Sequence, residues 1–205
     1  MASGKRDLRL GLLASHGGSN VQAILDAIAQ GTLPARAVLL ISNNSTARVL
    51  ERAAAAGVPT AHMSTHTHPA PGELDAAMVA AFRQHGANLI VLAGYMRKVG
   101  PGLLAAFPNA VLNIHPALLP RHGGQGMYGL HVHAAVLAAG DRTTGATVHL
   151  VDSIYDHGAT LAQASVGVQP GDTPESLQAR VLQTEHTLYP ETLRRIATGE
   201  LALPG

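Results

Sequence analysis

The chain contains no cysteine. That excludes disulfides, a thiol nucleophile and a thiolate metal site, and it suits a reducing cytoplasm. It also lacks an excess of either charge, since fourteen basic and thirteen acidic side chains leave +1 at pH 7 with histidine neutral. Such a balance gives no electrostatic footprint for nucleic acid or for an anionic membrane. No signal-type opening is present: the basic stretch Met1 to Arg6 leads into an apolar run that contains Arg9 and has no cleavage pattern. No repeat, low-complexity tract or linker divides the sequence. What remains is 205 residues, 46% of them hydrophobic, sufficient for one domain with a sizeable core. The expectation is a cytoplasmic protein with a single domain over 1–205, flexible over 1–6, and either a monomer or a homodimer.

Strand and helix patterns alternate along the chain. Leu8 to Ala14 reads as a buried strand and Ser15 to Gly18 as a turn. A helix follows, with Ser19 at its N-cap, Gln22 completing a capping box and Gly31 as its stop. Strands are expected at 37–41, 60–63 and 89–93, and helices at 46–56, 72–85 and 101–107. Leu89 to Ala93 is an unbroken apolar run of the kind buried on both faces. This alternation predicts an α/β fold, a Rossmann-like, mostly parallel twisted sheet with helices on both faces. Beyond a strand at 110–114 the pattern changes to a glycine-rich loop at 122–129, a helix at about 132–139, and strands at 147–151 and 160–168. Thr173-Pro174 opens the last helix in cap-then-proline order. Leu177, Val181, Thr184 and Leu188 fall on one of its faces, and Pro190 is expected to kink or end it.

Asn113-Ile114-His115-Pro116 closes the 110–114 strand. Strand residues two apart share a face, so an amide and an imidazole arrive together at the strand's carboxyl end, where open α/β sheets bind ligands. The amide can stabilise a developing oxyanion and the imidazole can move a proton, the two tasks of acyl transfer. Asp156, in Tyr155-Asp156-His157-Gly158, is a candidate third member, with a simple turn role as the alternative. Gly17-Gly18-Ser19-Asn20 offers main-chain amides at a helix start to a phosphate. The spaced-glycine dinucleotide pattern and the Walker lysine are both missing, and a tight turn plus a cap is the competing reading. Among twelve histidines, His66 with His68 and His131 with His133 have ligand-like spacing, but no cysteine or clustered carboxylate completes a site. No metal is expected.

Together these segments resemble the folate-dependent formyltransferases. Asn113-Ile114-His115-Pro116-Ala117-Leu118-Leu119-Pro120 is similar to that family's signature. Gly18-Ser19-Asn20 with Gln22-Ala23-Ile24, and Ala93-Gly94-Tyr95-Met96-Arg97, match it in order. So do Gly145-Ala146-Thr147-Val148-His149 with Asp156-His157-Gly158, and Glu185-His186 with Tyr189-Pro190. Within the family the chain is most similar to members that formylate phosphoribosylglycinamide in purine synthesis.

The resemblance implies 10-formyltetrahydrofolate as cosubstrate and Asn113, His115 and Asp156 as the catalytic trio. His115 is then the general acid toward the tetrahedral intermediate, Asn113 the donor to the formyl oxygen, and Asp156 the group that orients His115 and favours its protonated form. Gly18, Ser19 and Asn20 hold the phosphoribosyl substrate and Glu185 contacts its glycinamide part. Met96, Arg97, Lys98 and Val99, together with Asn113 and the loop from Asp152 to Asp156, form the folate pocket.

Some positions depart from the family pattern. Ala159 stands where many relatives have proline, and Leu182 where some have a polar residue facing the glycinamide. The loop between Pro120 and Gly129 is longer than in short-loop relatives, so Met127 and Tyr128 are expected to reshape the cleft rim. No arginine lies near Pro71-Gly72, where some relatives place one against the folate glutamate tail. The rival readings are a formyltetrahydrofolate deformylase, which normally carries an extra amino-terminal domain, and a non-catalytic phosphosugar-binding module. A methionyl-tRNA formyltransferase needs a carboxyl-terminal tRNA-binding domain, which is not expected after Gly205.

Overall fold

Leu89, Ile90, Val91 and Leu92 are consecutive, apolar and all buried, because their strand lies in the middle of a sheet covered on both faces. The computed structural model describes residues 6–204 and gathers seven strands into that sheet. They are β1 (Leu8–Ala14), β2 (Ala35–Ser42), β3 (Thr60–His62), β4 (Leu89–Leu92), β5 (Val111–His115), β6 (Thr143–Leu150) and β7 (Thr160–Gly167). Their order is β3-β2-β1-β4-β5-β6-β7. The pairs from β3 to β5 are parallel, whereas β5–β6 and β6–β7 are antiparallel. The mostly parallel, Rossmann-like sheet is therefore as expected, with the strand order reversing between β1 and β4.

The helices are α1 (Ser19–Ala29), α2 (Arg48–Ala55), α3 (Glu73–Gln84), α4 (Pro101–Ala106), α5 (Leu130–Ala138) and α6 (Pro174–Thr198). Alternation along β1 divides the core. Leu10, Leu12 and Ala14 pack with Val21 and Ile24 of α1, Val49 of α2 and Val181 and Leu193 of α6. Leu13 faces the opposite layer with Met78 and Phe82 of α3 and Leu103 of α4. The Phe82 and Phe107 rings meet edge to face at 6.3 Å, a favoured aromatic geometry. Gly11 lies directly under Phe82: a β-carbon there would sit 2.5 Å from the ring.

Several boundaries differ from the sequence expectation. Gly18, in the left-handed region at φ 69°, is the N-cap of α1 and no side chain caps it. Ser19 is thus the first helical residue and the capping box is absent, because the Gln22 side chain turns instead to Asp26 and Arg52. β6 starts at Thr143, four residues early, since the small and hydroxylated segment Thr143 to Ala146 pairs with β7. α5 likewise begins at Leu130. Thr173 caps α6 in a reciprocal pair with Ser176. Pro190 does not end this helix, which continues to Thr198. The buried stripe of α6 runs through Leu177, Val181, Glu185, Tyr189 and Leu193, leaving Thr184 and Leu188 at its margin. Of the segment expected to be flexible, only Arg6 is described, and its N–H donates to the Ala197 carbonyl at 2.9 Å; residues 1–5 lie outside the described residues. Among the described residues, no helix is long and apolar enough to cross a membrane.

Candidate active site

A cleft of about 690 Å³ opens at the carboxyl ends of β1, β4 and β5. β5 ends on Asn113 and His115, whose antiparallel partners on β6 are His149 and Thr147. The following turn is tied down by Thr147, whose Oγ1 donates to the Ala117 carbonyl at 2.6 Å and accepts the Leu119 N–H at 3.0 Å. Asp156 comes from the loop between β6 and β7 and takes a left-handed backbone at φ 54°, which aspartate tolerates better than most residues. Two residues on, Gly158 presses on β6: a β-carbon there would come within 2.0 Å of the Leu150 carbonyl oxygen.

The three expected catalytic side chains converge. His115 Nδ1 is 3.4 Å from Asp156 Oδ2, and both side chains are sheltered. Its Nε2 donates to the His122 carbonyl at 2.8 Å; a carbonyl only accepts, so that nitrogen carries a hydrogen. Asp156 Oδ2 also accepts the Gly124 N–H at 3.0 Å.

His149, to which the sequence reading assigns no role, completes the network. Its Nδ1 donates to the Leu150 carbonyl at 2.8 Å, leaving Nε2 to accept from Asn113 Nδ2 at 3.2 Å. The histidine thereby sets which end of the Asn113 amide bears hydrogens toward the cleft. Its Nε2 also lies 3.6 Å from Asp156 Oδ1.

Burial lowers the His115 pKa below its ordinary value; the Asp156 charge and the His122 carbonyl pull upward without reversing the shift. Asp156 favours the protonated ring, as expected, but desolvation wins and the resting imidazole is neutral at neutral pH. For Asp156 itself burial pushes upward, yet the contacts with His149, His115 and the Gly124 N–H hold its pKa below the ordinary carboxylate range. His133, a neighbour at the cleft wall, is pushed down to about 4 by burial and then by His115, and its Nδ1 has no partner among the described residues.

At the β1 end, Ser15 joins three loops: its Oγ donates to Asn43 Oδ1 at 2.6 Å and accepts the Met96 N–H at 2.8 Å, while its N–H donates to the Gly94 carbonyl. Asn20 Nδ2 donates to Glu185 Oε2 at 2.6 Å, and the Asn20 Oδ1 is buried without a partner among the described residues. Burial pushes the Glu185 pKa up to about 7, with the Asn20 hydrogen bond opposing. Asn20 and Glu185 line the cleft, whereas Gly18 and Ser19 lie outside its lining. Met96, Arg97, Lys98, Val99, Asp152 and Asp156 all line it, as does Leu182 beside Glu185. Met127 and Tyr128 of the long loop form part of the rim, as expected. The Lys98 Nζ lies 5.4 Å over the Tyr155 ring. The paired histidines are far from alike: His66 and His68 are in an exposed loop or at its edge, His131 is exposed against Tyr128, and His133 is buried.

Residues 8–193 match the family model described as formyl transferase. The chain belongs to the formyl transferase family. Among similar solved structures of formyl transferases is glycinamide ribonucleotide transformylase 1 from Symbiobacterium toebii, at 42% identity and a TM-score of 0.90, with 97% of this chain and 92% of that one covered. The phosphoribosylglycinamide formyltransferase of Mycobacterium tuberculosis is 41% identical over 96% of this chain and 88% of its own. The chloroplastic phosphoribosylglycinamide formyltransferase of Arabidopsis thaliana is 40% identical over 93% of this chain, which spans only 66% of that relative's length.

Proposed function

We propose that this formyl transferase moves the formyl group of 10-formyltetrahydrofolate to the amine of 5-phosphoribosylglycinamide, a step of de novo purine synthesis. The convergence of Asn113, His115 and Asp156 on a cleft that also reaches Asn20, Glu185 and the 96–99 turn carries this reading. A volume of about 690 Å³ suits two small substrates meeting end to end. The names of the relatives support the choice of acceptor. The setting proposed is cytoplasmic, with small molecules as the only substrates.

In this scheme Gly18, Ser19 and Asn20 receive the phosphoribosyl end, Glu185 the glycinamide part, and Met96, Arg97, Lys98, Val99, Asn113 and Asp152 the folate. The neutral amine bonds to the formyl carbon, and the carbonyl oxygen takes up the negative charge. A hydrogen on Asn113 Nδ2 stabilises that charge. His115, held unprotonated by burial and with its Nε2 hydrogen committed to the His122 carbonyl, has Nδ1 free to take the proton the amine sheds. Asp156, 3.4 Å away, stabilises the transient imidazolium. The same proton then goes to the folate nitrogen as its bond to the formyl carbon breaks, so the transfer is balanced without solvent.

The test is a turnover assay with and without the amine acceptor. Formyl transfer is expected only with it, and His115→Ala should lose about a thousandfold in kcat while still binding both substrates. Loss of the formyl group at the same rate without an amine would instead identify a hydrolase.

A further inference from the structure

The acceptor for the His115 Nε2 hydrogen is a main-chain oxygen on a loop, and such an oxygen is only as fixed as its loop. His122 holds φ 53°, a region that costs a residue with a side chain about 1 kcal/mol. The next two residues are Gly123 and Gly124, which add no stiffness. Besides the Gly124 N–H on Asp156, the His122 side chain anchors this turn. Its Nε2 lies 2.7 Å from Asp141 Oδ2, while Arg121 Nη2 holds the other carboxylate oxygen at 2.7 Å. The His122 hydrogen bond is the largest influence keeping the Asp141 carboxyl below its ordinary pKa. Asp141 lies three residues past the end of α5, and its own N–H donates to the Val136 carbonyl at 3.3 Å. The pair is sheltered, with side-chain exposures of 15% and 12%, whereas Arg121 is open to solvent.

We infer that His122 is a positioning residue whose pairing with Asp141 fixes the carbonyl that holds the His115 Nε2 hydrogen, leaving Nδ1 to exchange the substrate proton. This rests on the formyl-transfer reading. Without that carbonyl, the neutral ring places its hydrogen on Nδ1, toward the Asp156 carboxylate. A ring in that tautomer has no lone pair where the amine sheds its proton. Neither the His122 side chain nor Asp141 touches a residue assigned to substrate binding, so the defect is expected to fall on kcat. The carbonyl also stabilises the protonated ring, so its loss lowers the His115 pKa further. The groups facing His115 are Asp156, His149, His133 and His122, and those facing His122 are Asp141, Arg121 and His115; only the His122 carbonyl is displaced.

His122→Asn keeps a side chain that accepts the left-handed backbone but is too short to reach Asp141, and Asp141→Ala removes the other half. Each is expected to lower kcat about tenfold, a fraction of what a proton-transfer group contributes. KM for both substrates should stay within about twofold, and the acid limb of kcat/KM should move to lower pH. The double variant should be no worse than either single one, and His122→Gln, which can still donate to Asp141, should recover most of the loss. Unchanged kcat in both single variants, or raised KM with the acid limb in place, overturns the inference. Ring 15N shifts of His115 give a reading independent of turnover: the neutral ring should be protonated at Nε2 in the wild type and shift toward Nδ1 in His122→Asn. An unchanged tautomer overturns the assignment. A wild type that transfers no formyl defeats the proposed reaction instead, and the ring shifts then decide the positioning role alone.

Discussion

On the β1–β4 side of the cleft, the loops are shaped by glycine and tied together by main-chain hydrogen bonds. Gly18 opens α1 in a left-handed conformation, and Ser15 stitches the loops after β1, β2 and β4 to one another. On the β5–β7 side, the working groups are side chains in a continuous run of contacts, from Asn113 through His149 and Asp156 to His115. The parallel half holds its site by backbone conformation, and the antiparallel half by hydrogen-bond direction. Antiparallel pairing matters here because its register sets His149 directly opposite Asn113.

If the two halves are built so differently, damage to them should differ in kind. The largest effect is expected from Asp156→Ala, which leaves the β1 side intact: steady-state kinetics should show kcat reduced about a thousandfold with little change in folding stability. Loss of phosphoribosyl binding in that variant would mean that the halves are not separable. Gly18→Ala attacks the other side. Its β-carbon would come within 2.1 Å of Val49 Cγ2 on a backbone of φ 69°, so denaturant melts should show a loss of about 3 kcal/mol, from overpacking together with strain. Catalytic geometry in the fraction that folds should survive.

The smallest effect concerns pH. Glu185, raised to about 7 by burial, binds its proton more tightly folded than unfolded. Its contribution is therefore complete below about 4.5 and lost as pH rises through 7. His133, lowered to about 4, acts oppositely: its contribution is present above about 6.5 and lost as pH falls through 4. Between those limits the two oppose each other in the wild type. Glu185→Gln should uncover a stability that climbs by roughly 2 kcal/mol from pH 4 to 6.5. A flat profile in that variant would show that His133 is not held neutral by burial.

Much of the parallel half was legible in the sequence because apolar runs such as Leu89 to Leu92 have few other ways to be buried. Asn113 and His115 were legible as a pair on one strand face, whereas Asp156 read alone was as much a turn residue and was singled out only by the family resemblance. What escaped depends on distant partners. His149 owes its position to register with β5, which no local pattern encodes. His122 contributes a main-chain oxygen, and the backbone is the same at every residue. The stripe of α6 was read through Thr184 instead of Glu185 because a buried carboxylate interrupts an apolar period. Ser19 suggested a side-chain cap where the left-handed Gly18 already performs that office.

Gly158 carries a consequence for anyone altering this enzyme. Its lack of a side chain lets the returning chain lie flat on the end of β6, and Asp156 owes its distance from His115 to that closeness. A methyl group at 158 would lift the segment and carry the carboxylate off with it. Such a variant would behave as though the aspartate had been deleted while every reactive group was still encoded.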